Sequence, residues 1–292
     1  MSGIAGGAFA KISGRAFTKM SGGGNDFVVF DDRDGWFPRD EAGPVVARLC
    51  RRGLGVGADA VVLLAPDPGA DFRMIYYNAD GGEAPMCGNA ALCIARFARL
   101  VGAVQSAEME FRTGSGPFRA RVEDPAGPEV TLWLVPPREP TLDYPDLARA
   151  PYRRIGFLDT STPHVVALLE SPAAVEALDV AVEGPRLRSH PNWGPVGTNV
   201  NFVALVDRAT VRMRTFEKGV EDETLSCGTG ATASAILTWL WGLADPPVTV
   251  LTSGGIPLVV DFTPPADAGS LPIDPTLTGD ARIVYRGTIE EI

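Results

Sequence analysis

Two cysteines carry the chemistry this sequence offers. Cys87 lies in Glu83-Ala-Pro-Met-Cys87-Gly-Asn-Ala-Ala and Cys227 in Glu223-Thr-Leu-Ser-Cys227-Gly-Thr-Gly-Ala, 140 residues further on. Each stands directly before a glycine, where an apolar stretch that reads as a helix begins. A helix N-terminus offers unpaired N–H groups and about half a unit of positive charge. Such a position lowers a thiol pKa and receives carboxylate or phosphate. Two of them facing one another would cradle a carboxylate, with one thiol on each side of the carbon that bears it. A thiolate on one face would remove an α-proton and a thiol on the other would return one, so the configuration inverts. Sulfur suits this work because its protonation can be tuned near neutrality. Two other readings stay open here: a Cys87–Cys227 disulfide, and a Cys–His nucleophile using His164. The second leaves the repeated cysteine without a role. Cys93, inside the first helix, and Cys50 read as small buried hydrophobes.

The elements that must hold these sulfurs come in two copies. Gly57-Ala-Asp-Ala-Val-Val-Leu faces Gly197-Thr-Asn-Val-Asn-Phe-Val at an offset of 140, and Arg73-Met74 faces Arg212-Met213 at 139. Thr113-Gly-Ser-Gly faces Thr252-Ser-Gly-Gly at 139, and Phe27-Val-Val faces His164-Val-Val at 137. The constant order implies two tandem halves related by a pseudo-twofold axis. Short β-rich segments punctuated by Gly, Pro and Asp predict strands over 27–31, 60–64, 73–77, 108–112, 119–122, 165–169, 199–206, 210–216, 248–252 and 258–262. Segments 89–100 and 231–243 are Ala/Leu-rich, free of Pro and apolar nearly all round, which predicts buried helices. Segments 41–51 and 172–178 predict surface helices, and 261–279 reads as irregular. The expected fold is α/β (α+β), with two pseudo-symmetric halves, each a mostly antiparallel sheet wrapped around a central buried helix. The first half is expected over 1–132, opening on a flexible extension (1–14) and completed by 280–292; the second covers 133–279. Hinges are expected near 128–133 and 278–281.

Composition narrows the function. The 292 residues carry 26 Lys+Arg against 36 Asp+Glu, a net charge of −10, which argues against nucleic acid. Mean hydropathy is +0.07 and no apolar run reaches the length of a membrane span. Only Lys11, Lys19 and Lys218 could form a Schiff base, so a pyridoxal-phosphate enzyme is poorly served. With two histidines and no C-x-x-C, a structural zinc site is not expected. The N-terminus lacks the basic and apolar regions of a signal peptide. A cytoplasmic protein with reduced thiols is therefore expected, binding neither nucleic acid nor membrane.

The sequence resembles the diaminopimelate epimerase family over roughly Phe17–Ile292. The likeness rests on Lys19-Met-Ser-Gly-Gly-Gly-Asn-Asp-Phe-Val-Val, Gly55-Val-Gly-Ala-Asp, Asn78-Ala-Asp-Gly, Met86-Cys-Gly-Asn, Pro163-His164, Gly197-Thr-Asn-Val-Asn-Phe and Cys227-Gly-Thr-Gly-Ala, in family order. It implies two similar halves with the active site in the cleft between them, closing on substrate. The implied reaction inverts one centre of LL-diaminopimelate to give the meso form, without cofactor or metal, for lysine and peptidoglycan precursor synthesis. By resemblance, Cys87 and Cys227 are the base–acid pair. Asn25, Asn78 and Asn199 contact substrate, Gly88-Asn89 and Gly228-Thr229 present main-chain N–H groups to the α-carboxylate, Glu217 meets the reacting ammonium, and His164 lies near the thiols. A small amino-acid substrate and a homodimer are implied as partners. Four places depart from the family pattern. Lys218 stands where an Arg usually follows the Glu, and so meets a distal carboxylate as a point charge. Thr162 precedes Pro163-His164 where Asn is common. Asn89-Ala-Ala-Leu92 and Ser21-Gly-Gly-Gly24 also differ. The departures touch recognition surfaces and leave two alternatives: the same chemistry on another amino acid, as in a histidine or glutamate racemase, or a non-catalytic or isomerising member of the fold.

Overall fold

The structure is a computed structural model and describes residues 5–265 and 270–291. The chain divides into two compact units, Met1–Leu132 with Asp280–Ile292, and Trp133–Gly279.

The first unit contains α1 (Ala5–Ile12), β1 (Ala16–Gly22), β2 (Asn25–Asp31), α2 (Ala42–Cys50), β3 (Ala60–Ala65), β4 (Phe72–Asn78), β5 (Glu83–Ala84), α3 (Gly88–Leu100), β6 (Glu108–Thr113), β7 (Gly116–Arg121) and β8 (Glu129–Trp133), whose last residue opens the second unit. The second unit continues with β9 (Arg138–Thr141), β10 (Tyr152–Asp159), β11 (Pro163–Leu169), α4 (Pro172–Ala177), α5 (Val180–Arg188), β12 (Asn199–Asp207), β13 (Thr210–Glu217), β14 (Asp222–Thr224), α6 (Gly228–Leu240), β15 (Val248–Leu251) and β16 (Pro257–Thr263). The long β17 (Ile273–Thr288) pairs first with β16 and then with β1.

The units share one topology. In the first, β1–β2, β3–β4, β4–β5 and β6–β7 are antiparallel, while β2–β3 and β4–β6 are parallel. In the second, β10–β11, β12–β13, β13–β14 and β15–β16 are antiparallel, and β11–β12 and β13–β15 are parallel. Even the register agrees: Phe72 pairs with Phe111 and Thr210 with Thr249, both 39 residues apart.

Strands β2, β3 and β11 are covered on both faces, which explains their continuously apolar runs, whereas β6 alternates buried and exposed residues. On β11, Val166 and Leu168 pack toward Ala233, Ile236 and Leu237 of α6, whereas Val165, Ala167 and Leu169 join Val175, Val180 and Leu187 of α4 and α5. In the first unit Val28, Phe30, Val61 and Leu63 pack on Val45, Val46 and Leu49 of α2. On α3, residues 89–98 are buried, so the helix is central to its unit.

Two expectations need correction. Residues 5–12 are not a flexible extension but helix α1; the rest of that segment's start, 1–4, lies outside the described residues. Small residues suggested no order, yet Ile12 is fully buried in the cluster with Phe17, Phe30 and Ile289. Segment 261–279 is not irregular throughout, because β16 runs to Thr263 and β17 begins at Ile273; residues 266–269 of that stretch are not described. Pro275 and Gly279 hid an alternating pattern in which Pro275, Leu277, Gly279 and Ala281 are buried.

Candidate active site

In the first unit the parallel β2–β3 pair fixes a polar cluster around α3. Cys87 is the N-cap of α3, with extended backbone, and its carbonyl accepts the first helical hydrogen bond from Ala91. Asn89, the second residue of the helix, is buried and donates from Nδ2 to the Gly23 carbonyl (3.2 Å) and to Asn25 Oδ1 (2.8 Å). Asn25 Nδ2 in turn donates to Asp59 Oδ2 at 3.0 Å. A carboxylate can only accept, so the Asn25 amide has one permitted orientation. Two cations anchor the base of this chain. Lys19, 6% exposed, lies 2.8 Å from Asp26, and Arg52 bridges Asp26 and Asp59. Burial works to raise the Asp26 pKa, but hydrogen bonds from Arg52 and Lys19 hold it down to about 2. The turn depends on Gly23: its φ is +53°, and a Cβ there would meet Asn89 Oδ1 at 2.1 Å. The Tyr76 hydroxyl hydrogen-bonds the Cys87 thiol, and burial together with that sulfur pushes the phenol pKa well up.

The second unit repeats the thiol and surrounds it differently. Cys227 is the N-cap of α6 and is 7% exposed. Its Sγ lies 3.5 Å from Thr229 Oγ1, and the main-chain N–H groups of Thr229 and Gly230 also donate to it. Thr229 Oγ1 is 2.9 Å from His164 Nε2, and His164 Nδ1 is 3.0 Å from Asn201 Nδ2. Asn199 Oδ1 accepts from the Lys218 N–H at 2.8 Å, while its Nδ2 reaches the Pro163 carbonyl (3.2 Å) and Thr162 (3.4 Å).

Charge follows from this burial. His164 is fully buried and its pKa falls to about 3, through desolvation first and the Lys218 ammonium second, so it is neutral. Burial raises the Glu217 carboxyl. The Cys227 thiol is pushed up to about 12 by burial and by Glu217, against the lowering effect of Thr229 and the helix N–H groups. The helix start was expected to lower this pKa; desolvation outweighs it here.

The structure thus places Cys87, Gly88, Asn89 and Asn25 in one cluster and Cys227, Gly228, Thr229, His164, Glu217, Lys218 and Asn199 in another. Asn78 stands exposed at the end of β4, where its backbone closes a turn with Gly81 and Gly82. Glu217 does not pair with Arg214, whose guanidinium is held bidentately by Glu223. None of the four cysteines is in a disulfide, and Cys50 and Cys93 are buried and pushed up by desolvation. Among the described residues no group of three or more His, Cys, Asp or Glu is arranged to hold a metal ion, and no helix is long and apolar enough to cross a membrane.

Sequence reasoning missed Tyr76 and Asn201. Each had a signal in strand periodicity: Tyr76 shares a face with Asn78 on β4, and Asn201 shares one with Asn199 on β12. Gly230 permits the second contact. A Cβ there would meet Asn201 Oδ1 at 2.3 Å and Cys227 Cβ at 3.3 Å. Gly230→Ala is therefore expected to destabilise the protein by about 1–3 kcal/mol through overpacking. Thermal unfolding checks this, and an unchanged midpoint would show that the start of α6 yields freely.

Two units of one topology, each with a cysteine capping its central helix, define the class: a duplicated α/β fold that presents a thiol pair at matching helix starts. A Bacillus anthracis phenazine biosynthesis protein of the PhzF family has this fold (TM-score 0.70, 14% identity, covering 94% of this chain and 98% of that one). The sequence profile of diaminopimelate epimerase matches residues 17–133 and 156–265. The diaminopimelate epimerase of Gemmatimonas aurantiaca is 41% identical, over 94% of this chain and 99% of its own length. That of Chlorobaculum tepidum is 39% identical, over 92% and 99%. The chain belongs to the diaminopimelate epimerase family.

Proposed function

We propose that this protein is an isomerase that converts LL-diaminopimelate to meso-diaminopimelate by proton transfer between two thiols and the α-carbon. The observation that carries the reading is the repeated placement of a cysteine, outside any disulfide, at the N-cap of a buried central helix, beside main-chain N–H groups. The relatives named above are diaminopimelate epimerases, which supplies the substrate. The product feeds lysine and peptidoglycan precursor synthesis. The chemistry needs reduced sulfur, which favours the cytoplasm.

The pair shares one proton. Burial and Glu217 keep it on Cys227 at rest, so Cys227 is the acid toward the first substrate. Cys87 is the base, with the Tyr76 hydroxyl as a donor to its sulfur. As Cys87 takes the α-proton, charge moves into the α-carboxylate, where N–H groups of Gly88-Asn89 and Gly228-Thr229 stabilise it. Cys227 then protonates the opposite face. Glu217, made less acidic by burial, gains from an ammonium partner and so suits the reacting amine. Lys218 offers a point charge to the distal carboxylate. No cofactor is required by these steps.

Turnover in heavy water tests this. LL-diaminopimelate should become meso product carrying one deuterium at the inverted carbon. Exchange with a different amino acid, and none with diaminopimelate, would overturn the substrate. No exchange with any amino acid would overturn the class.

A further inference from the structure

The neighbours of Cys227 impose a direction on the hydrogen bonds that reach it. Val165 O only accepts, and it lies 3.1 Å from the Asn201 side chain, so the atom facing it is Nδ2. Thr215 Oγ1 holds the opposite end, 3.0 Å from Asn201 Oδ1. The same Nδ2 lies 3.0 Å from His164 Nδ1, which must then accept. A neutral imidazole with an accepting Nδ1 carries its proton on Nε2. That proton points at Thr229 Oγ1, 2.9 Å away, and occupies an oxygen lone pair. The Thr229 hydroxyl hydrogen is left to turn toward Cys227 Sγ at 3.5 Å. Asn201, His164 and Thr215 are fully or almost fully buried, so water does not compete for these roles.

We infer that Asn201, His164 and Thr229 form a one-way donor line that aims a hydroxyl proton at Cys227 Sγ, with Asn201 as the positioning residue that sets its direction. The inference deepens the two-thiol reading and rests on it. During turnover Cys227 must carry the thiolate whenever it serves as base, and burial beside Glu217 opposes that state. A line that donates without ionising supports the sulfur anion and adds no charge. A protonated His164 would also donate, but it would hold a fixed cation beside Lys218. A histidine protonated on Nδ1 would reverse the line and take the Thr229 proton for itself. Cys87 lies under a different donor, the Tyr76 hydroxyl. The two thiols therefore reach the same end by unlike means.

Imidazole nitrogen spectra of the full-length protein test the direction without turnover. His164 is distinguished from His190 by substitution of the latter, a half-buried histidine beside Trp193 that accepts from the Asn192 N–H. The expected spectrum shows His164 neutral with its proton on Nε2. A proton on Nδ1, or on both nitrogens at pH 7, would overturn the inference. Alkylation at alkaline pH by iodoacetamide, resolved by peptide mass, reads the effect on sulfur. Thr229→Val should slow alkylation of Cys227 about tenfold, as expected for loss of one hydrogen bond to an anion. Thr229→Ser should restore it to within about twofold, because the hydroxyl is retained. Asn201→Leu should reproduce Thr229→Val and mix the tautomers. Cys87 in the same samples should alkylate at its usual rate, which separates these effects from general unfolding. Equal Cys227 alkylation in wild type and Thr229→Val would also overturn the inference. Neither readout depends on which amino acid is turned over, so failure here is distinct from failure of the proposed reaction.

Discussion

Cys87→Ala and Cys227→Ala should each abolish epimerisation, with rates falling by about 10² to 10⁴ or more, the range carried by a positioned acid or base. The two losses should not multiply. A one-proton pair works as a unit: without the base no carbanion forms, and without the acid the carbanion returns to its original configuration. The double variant is therefore expected to be no slower than the slower single variant, within a few-fold. Cys50→Ala provides the contrast. Its thiol, on the last residue of α2, is buried in the core, and its loss should leave turnover nearly intact. Steady-state conversion of LL-diaminopimelate by the four proteins decides the matter. Wild-type turnover by Cys87→Ala would end the two-base scheme, and strictly multiplicative losses would mean that the thiols act in separate steps.

That prediction could be made from the sequence because a repeated cysteine before glycine is a local pattern, visible without contacts. The central helices were legible for a related reason: α3 and α6 are buried on nearly every side, so their sequences lack a polar stripe. Strands such as β3 and β11 are covered on both faces and read as short continuous apolar runs. What stayed hidden depends on tertiary partners. Strand β10 carries Arg153 and Arg154 toward its surface and Gly156 beneath Trp241, which together erase its pattern. Helix α5 holds Pro185 in its interior and is instead marked by its Asp179 cap. Near the thiols, Asn201 looks like any strand residue until β12 is placed beside β11, and only then does its amide meet His164. The direction of the Cys227 shift was likewise out of reach, since burial is not written locally and here it outweighs the helix start.

The buried histidine should make the second unit acid-labile. His164 has a folded-state pKa near 3 against about 6.5 when exposed, because desolvation and Lys218 disfavour the imidazolium. The unfolded chain therefore binds a proton below pH 6.5 that the folded chain refuses, and protons pull the equilibrium toward unfolding. The stabilising contribution is fully present above about pH 6.5 and fades as pH falls toward 3. Between pH 7 and pH 4 it amounts to a loss of about 3 kcal/mol. Carboxylates titrate over the lower part of the same range, so the histidine must be isolated by comparison. His164→Gln keeps a polar side chain that does not titrate, and the difference between its stability curve and that of wild type carries the histidine alone. Trp133, Trp193, Trp239 and Trp241 all belong to the second unit and only Trp36 to the first, so urea unfolding followed by tryptophan fluorescence reports chiefly on the right unit. The variant should be less stable at pH 7 and should lose less on acidification, with the two curves converging toward pH 4. Parallel curves over that range would mean that His164 is protonated as readily in the folded protein as in the unfolded chain, and that burial beside Lys218 does not hold its pKa down.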